Sequence, residues 1–135
     1  MMVPTRLTIF PLLGIALIAP ATAQAATPGF CRSYVQIASN AGSCSNCRLT
    51  MTAEGSRIQV TANNGWTAIV SVDPRAPSMA SGSGLWKPGH GAYAGRKFVA
   101  HFFGHGKTMR LVLAVTNGAV IRASFRCTDR QGDFA

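Results

Sequence analysis

The chain has 135 residues, 13 Lys+Arg against 4 Asp+Glu for a formal net charge of +9, and 47 % apolar residues. That length supports one domain with a single core, and so few carboxylates leave little material for a paired-acid glycosidase or a metal-ligand set. Such a charge sets up a positive field that attracts polyanions and acidic proteins and fades with salt.

Residues 1–25 read as a cleaved secretory signal. Arg6 gives the positive start, Leu7–Ala19 is an apolar run too short to span a bilayer comfortably, and Ala21-Thr22-Ala23 or Ala23-Gln24-Ala25 offers the small-residue cleavage site. Pro28-Gly29-Phe30 places no small residue directly before Cys31, so a lipid anchor is not expected. Residues 26–135 then form a single small β domain, exported to a periplasm or to the medium. Its four cysteines, Cys31, Cys44, Cys47 and Cys127, are an even number in an exported chain, for which disulfides are the default.

From Cys31 to Ala38 two parities alternate, which reads as a strand or as one or two turns of helix. Ser39–Asn46 is turn-forming. From Arg48 the alternation is strong, through Leu49, Met51 and Ala53, then Ile58, Val60 and Ala62, then Trp66, Ala68, Val70 and Val72. A two-residue turn at Gly55-Ser56 opposes Ala53 to Ile58, and a three-residue loop at Asn63-Asn64-Gly65 opposes Val60 to Ala68.

Asp73–Gly95 follows, rich in Pro and Gly. It reads as a long connection, within which a short strand at Gly84–Lys87 would complete the barrel, and in which Trp86 plugs a barrel end or touches a ligand.

A second meander runs from Lys97 to Cys127. A three-residue loop at Thr116-Asn117-Gly118, with Gly118 left-handed, opposes Leu113 to Ile121 and Met109 to Phe125. A four-residue loop at Gly104–Lys107 would oppose Phe102 to Met109 and Ala100 to Leu111. The fold expected is all-β: a small antiparallel up-and-down barrel, or a two-sheet sandwich, built from two three-stranded meanders and tied by disulfides. The tail after Cys127 reads as polar and frayed.

On the outward parity of the second meander the expected rows are Phe103–Thr108–Arg126, His101–Arg110–Ser124 and Val99–Val112–Arg122. Arginines in adjacent rows repel unless an anion lies among them, although their stems also simply cover a solvated sheet face. Arg110, Arg122, Arg126, His101 and Phe103, with Trp86 and Tyr93 from the 81–95 loop, are therefore the candidate binding residues. Nucleic acid is not the expected partner, because a single aromatic stands among those arginines.

If Cys31 opens the first strand and Cys127 closes the last, they meet, leaving Cys44 with Cys47; pairings of Cys31 with Cys44 or Cys47 remain open. Cys44-Ser45-Asn46-Cys47 also has the spacing of a redox pair, but no strand–helix setting accompanies it. His90, His101 and His105 are too scattered for a metal centre, and no cofactor is expected. No Ser-His-Asp set or Gly-x-Ser-x-Gly elbow occurs, so an enzyme is not expected.

An exported, basic, cysteine-tied β chain of this size resembles in outline the periplasmic inhibitor modules that block lysozymes or proteases. The resemblance is one of size and architecture. It implies a non-enzymatic binding or inhibitor module directed at an anionic macromolecule or an envelope or secreted protein. Two other readings stand beside it: a calycin-like barrel holding a small apolar ligand against Trp66 and Trp86, and a thiol–disulfide protein using Cys44 and Cys47.

Overall fold

A computed structural model describes residues 14, 29–42, 44–89 and 91–129. Apart from Gly14, the expected leader at 1–25 lies outside the described residues, as do His90 and the tail from 130 onward. Eight antiparallel strands close into one barrel in sequence order: β1 (Ser33–Ser39), β2 (Arg48–Glu54), β3 (Arg57–Ala62), β4 (Trp66–Asp73), β5 (Ala76–Trp86), β6 (Lys97–His105), β7 (Thr108–Val115) and β8 (Val120–Cys127). No helix occurs among the described residues. The barrel, not the sandwich, is the outcome, and both expected meanders are present as β2–β4 and β6–β8.

Alternation builds this wall. Every second residue turns inward, so Leu49, Met51, Ile58, Val60, Ala68, Val70, Leu111, Leu113, Ile121 and Phe125 are all buried. The expected pairings Ala53 with Ile58, Val60 with Ala68, Leu113 with Ile121 and Met109 with Phe125 are those observed.

Two turn details differ. In the loop between β7 and β8 the left-handed residue is Asn117, at φ 55°, not Gly118; asparagine tolerates that conformation because its short amide bonds locally. Between β6 and β7 the loop is two residues, Gly106-Lys107, with Gly106 at φ 59°, the sign a tight hairpin demands at its first position. The register therefore slides by two. Phe98 faces Val115, Ala100 faces Leu113, Phe102 faces Leu111 and Gly104 faces Met109. Inward parity survives because the slip is even. Gly104 fills an inward position without a side chain because the Gly29 carbonyl oxygen occupies the space a Cβ would take.

The larger correction is β5. Instead of a long connection with a short strand at Gly84–Lys87, Ala76–Trp86 is the longest strand of the barrel. Its inward residues are Ala80, Gly82, Gly84 and Trp86, so no hydrophobic alternation advertises it. Small residues are required there. A Cβ on Gly84 would lie far inside van der Waals contact with the Phe98 ring and the Thr67 carbonyl, and one on Gly82 would strike the Ile69 carbonyl. The true connection shrinks to 87–96.

The two barrel ends are built differently. At the first, Phe30 is buried beneath the incoming segment, and the Cys31–Cys127 disulfide joins the entry of β1 to the exit of β8. Bridging a sequence separation of 96 constrains the unfolded chain by roughly 4–5 kcal/mol in the chain-entropy account. The segment after Cys127 is not frayed at its start. Thr128 N–H donates to the Ser33 carbonyl at 2.9 Å, and the Asp129 carboxylate accepts from the backbone N–H groups of Arg32 at 2.7 Å and Ser33 at 2.9 Å. Beside them the buried Tyr34 hydroxyl accepts from the Cys31 N–H at 2.6 Å. Burial pushes the Tyr34 phenol above its ordinary 10.0; the Cys31 bond opposes that and the nearby Asp129 charge reinforces it. The other end carries the 40–47, 63–65, 87–96 and 116–118 connections and is more open.

Gly84→Ala lowers unfolding stability by at least ~2 kcal/mol through overpacking, whereas Ser83→Ala on the outer face changes it by less than ~0.5 kcal/mol, both read by denaturant titration. Because Tyr34 ionises less readily folded than unfolded, stability is intact below pH 10.0 and declines as pH rises through the raised folded value. Tyr34→Phe flattens that alkaline decline while costing about 1–3 kcal/mol at neutral pH through the orphaned Cys31 N–H, as pH-resolved melts would report.

Candidate functional site

The outer face of β6, β7, β8 and β1 carries the basic cluster. With the slid register its rows are His105–Thr108–Arg126, Phe103–Arg110–Ser124, His101–Val112–Arg122 and Val99–Ala114–Val120. Arg110 therefore faces Phe103, not His101, and the three arginines form a staircase, with Arg110 on β7 one row from both Arg126 and Arg122 on β8. Diagonal neighbours of this kind stand about 7–8 Å apart. No row contains an acidic residue.

Packing orders part of this cluster. The Arg110 guanidinium lies 5.7 Å from the Phe103 ring centre, a cation–π arrangement, and the His101 ring lies near parallel to that of Phe103, at 6.5 Å and 19°. Arg122 is fixed at the backbone, where its N–H donates to Asn40 Oδ1 at 2.8 Å and its carbonyl accepts from Asn40 N–H at 3.0 Å. Asn40 thus extends the β1–β8 ladder beyond Ser39 and carries the end of β1 up to the arginines. The result is an open groove of about 390 Å³ whose lining includes Phe103, Arg110, Val112, Arg122, Ser124 and Asn40. Arg126 is not in it; it borders a separate depression along the outer side of β1. His101 meets the groove only through Phe103.

Trp86 and Tyr93 belong elsewhere. Trp86 is buried and packs edge-on against Phe98 at 4.8 Å, with Tyr93 tilted over it at 5.1 Å and Trp66 at 6.5 Å. This aromatic group stands at the open barrel end beneath the 87–96 connection. The Trp86 N–H donates to the Arg96 carbonyl at 3.0 Å, and the Gly95 N–H donates to the Trp86 carbonyl at 3.1 Å. The structure therefore divides the expected site: arginines on the outer wall, aromatics at the mouth. Of the expected 81–95 loop, Ser81 to Trp86 belong to β5, where only a short strand at Gly84–Lys87 is expected from the sequence.

A gap in the wall explains the mouth. β1 pairs with β2 only over Ser33–Val35, and its last link to that side is the Gln36 N–H donating to the Cys47 carbonyl at 2.9 Å. Beyond it β1 follows β8 alone, with a register break between Gln36 and Ala38. The 40–47 connection spans the opening, closed on itself by the Cys44–Cys47 disulfide and pinned by Asn63, whose Nδ2 donates to the Asn46 carbonyl at 2.7 Å while its Oδ1 accepts from Arg48 N–H at 2.8 Å. Behind this flap lies a cavity of about 310 Å³ reaching from Gly42 and Asn64 down to Leu111, Leu113 and Phe125.

Both disulfides have the expected pairing, and no free cysteine occurs among the described residues. Cys47 is buried and neither cysteine of the short loop begins a helix, so the helix dipole that lowers a thiol pKa in reductases is missing there. Cys31, Cys127 and Asp129 cluster as metal ligands do, but both sulfurs are already bonded to each other. His101 and His105 share the outer face with Phe103 between them; His105 continues the strand and does not turn back.

Sequence reading missed Gln36, Ser39 and Asn40, because the departure of β1 from β2 leaves no mark in alternation. It also passed over an outward apolar row, Ile69–Ser83–Val99–Ala114–Val120, whose Ile69, Val99 and Val120 are 54, 48 and 41 % exposed. Its signal was available: these residues fall on the outward parity. Compared with known proteins, the chain matches no protein-family profile, no characterised sequence and no solved structure.

Proposed function

We propose that the protein is an exported, non-enzymatic binding module that holds anionic oxygens of an envelope or secreted macromolecule in the groove between Arg110 and Arg122. The observation that carries this reading is the acid-free groove itself: two arginines meet there beside a half-buried aromatic, with no carboxylate among their cross-strand neighbours. Fork-shaped guanidinium donors match carboxylate, phosphate and sulfate oxygens, and Phe103 fixes Arg110 from below, so less side-chain freedom is lost on binding. Export is supported by the leader-like start and by two disulfides, which fit an oxidising compartment. The long-range field of the whole chain adds to the on-rate but selects no particular place on the surface.

Binding to immobilised heparin and to polyglutamate, followed across salt concentrations, tests this. Arg110→Ala and Arg122→Ala each weaken binding about tenfold or more, as expected for a charged hydrogen bond, while Arg57→Ala, at the far hairpin between β2 and β3, has little effect. Binding indifferent to ionic strength, or equally reduced by all three substitutions, would remove the groove from the account.

A further inference from the structure

The cavity behind the 40–47 flap has a different chemistry from the groove. None of its described lining residues is charged: its depth is Leu111, Leu113, Ile121 and Phe125, its side is Trp66 and Trp86, and its polar groups, Gln36, Ser39 and Asn64, stand towards the rim. We propose that this mouth cavity is a second binding site, separate from the basic groove, for a small uncharged apolar molecule that enters at the end framed by Gly42, Asn64 and Tyr93.

Three observations carry the assignment. First, an eight-stranded barrel has an interior that side chains just fill or that holds one small ligand. Here the half beneath β5 and β6 is filled, with Phe98 leaning over Gly84 and against both tryptophans. The half beneath β7 and β8 is lined by Leu111, Leu113, Ile121, Ala123 and Phe125, and retains about 310 Å³, near the lower bound of roughly 300–1,000 Å³ typical of small-molecule sites. Interiors are otherwise packed to crystal density; here Leu111, Leu113 and Phe125, 1–2 % exposed, form a closed floor, and the open volume stands above them towards Gln36, Ser39 and Asn64.

Second, the lining selects against charge. An ionised group carried to Leu111 or Phe125 would lose its hydration and find no counter-charge among the described lining residues. An uncharged apolar molecule meets dispersion partners along the walls, with Gln36 and Ser39 near the entrance to bond a single hydroxyl or carbonyl. Third, the rim is built to hold its shape. The Cys44–Cys47 disulfide and the Asn63 bridge to Asn46 stiffen the flap, and Tyr93 rests on Trp86 across the opening.

Trp66 and Trp86 are the only tryptophans in the chain, and both line the cavity, so intrinsic fluorescence reports on it directly. The test is a titration of the disulfide-intact protein with the uncharged dye N-phenyl-1-naphthylamine. The expected result is saturable, blue-shifted dye emission with matching loss of tryptophan emission, unchanged by added salt and reversed by decanol far better than by decanoate. Ala123→Met, which fills the space, and Gln36→Phe, which obstructs the rim without entering the core, each weaken the dye by about tenfold or more. Arg110→Ala leaves it unchanged, which separates this site from the groove. The proposal is overturned if the unmodified protein gives no saturable signal, if dye binding falls with salt or with Arg110→Ala, or if Gln36→Phe, folded by circular dichroism, binds as before.

Discussion

Phe98 lies where a side chain on Gly84 would have to be, and the rest of the barrel follows from that contact. Closing eight strands fixes an interior of limited width, and β6 delivers Phe98 and Phe102 into it while β4 delivers Trp66. The strand between them carries only Ala80, Gly82 and Gly84 on its inner face before Trp86, Gly84 because of the Phe98 ring and the Thr67 carbonyl and Gly82 because of the Ile69 carbonyl and Val70 backbone of β4. β5 contributes backbone to the wall and volume to its neighbours. Beyond Gly84 the same strand ends in Trp86, which closes the aromatic group at the mouth through Phe98, Trp66 and Tyr93. The ring cluster is thus concentrated on one side of the interior, and towards the mouth the opposite side, under β7 and β8, has Leu111, Leu113, Ile121 and Ala123 with Phe125 and open space above them.

The second constraint acts at the seam. β1 must bond β2 on one side and β8 on the other for the sheet to close, yet it satisfies β2 only briefly before following β8 to the far end. Two devices compensate. The Cys31–Cys127 disulfide, Tyr34 and Asp129 secure the entry of β1, and Asn40 prolongs its bonding with β8 at the exit. Between them the wall parts, and the disulfide-closed 40–47 flap covers the gap. The same divergence creates both candidate sites, since Asn40 leads the end of β1 towards Arg110 and Arg122 on the outside while Gln36 and Ser39 border the cavity within.

Much of this was legible in the residues. Inward parity in β2, β3, β4, β7 and β8 follows from Leu, Ile, Val and Trp at alternate positions, and the cysteines at the start of the first strand and the end of the last anticipated their own pairing. β5 was hidden because a strand whose inner face is glycine and alanine has no hydrophobic period, and its Pro77 and repeated glycines read as loop. The two-residue slide between β6 and β7 was hidden for a related reason. Gly104 sits inward but carries no side chain, its place being taken by the Gly29 carbonyl from a distant segment. The arginine staircase was legible as a face but not as a groove, because its concavity depends on where β1 travels, and the separation of Trp86 and Tyr93 from the arginines depends on the strand that the glycines concealed.

Disulfide mapping by proteolysis and mass spectrometry of the unreduced protein most directly tests whether the sheet closes with β1 beside β8. One linked peptide joining Cys31 to Cys127 and another joining Cys44 to Cys47 are expected. A crossed pattern, with Cys31 bonded to Cys44 or Cys47, would place the entry of β1 at the opposite end of the barrel from β8's exit and contradict the closure on which both sites rest.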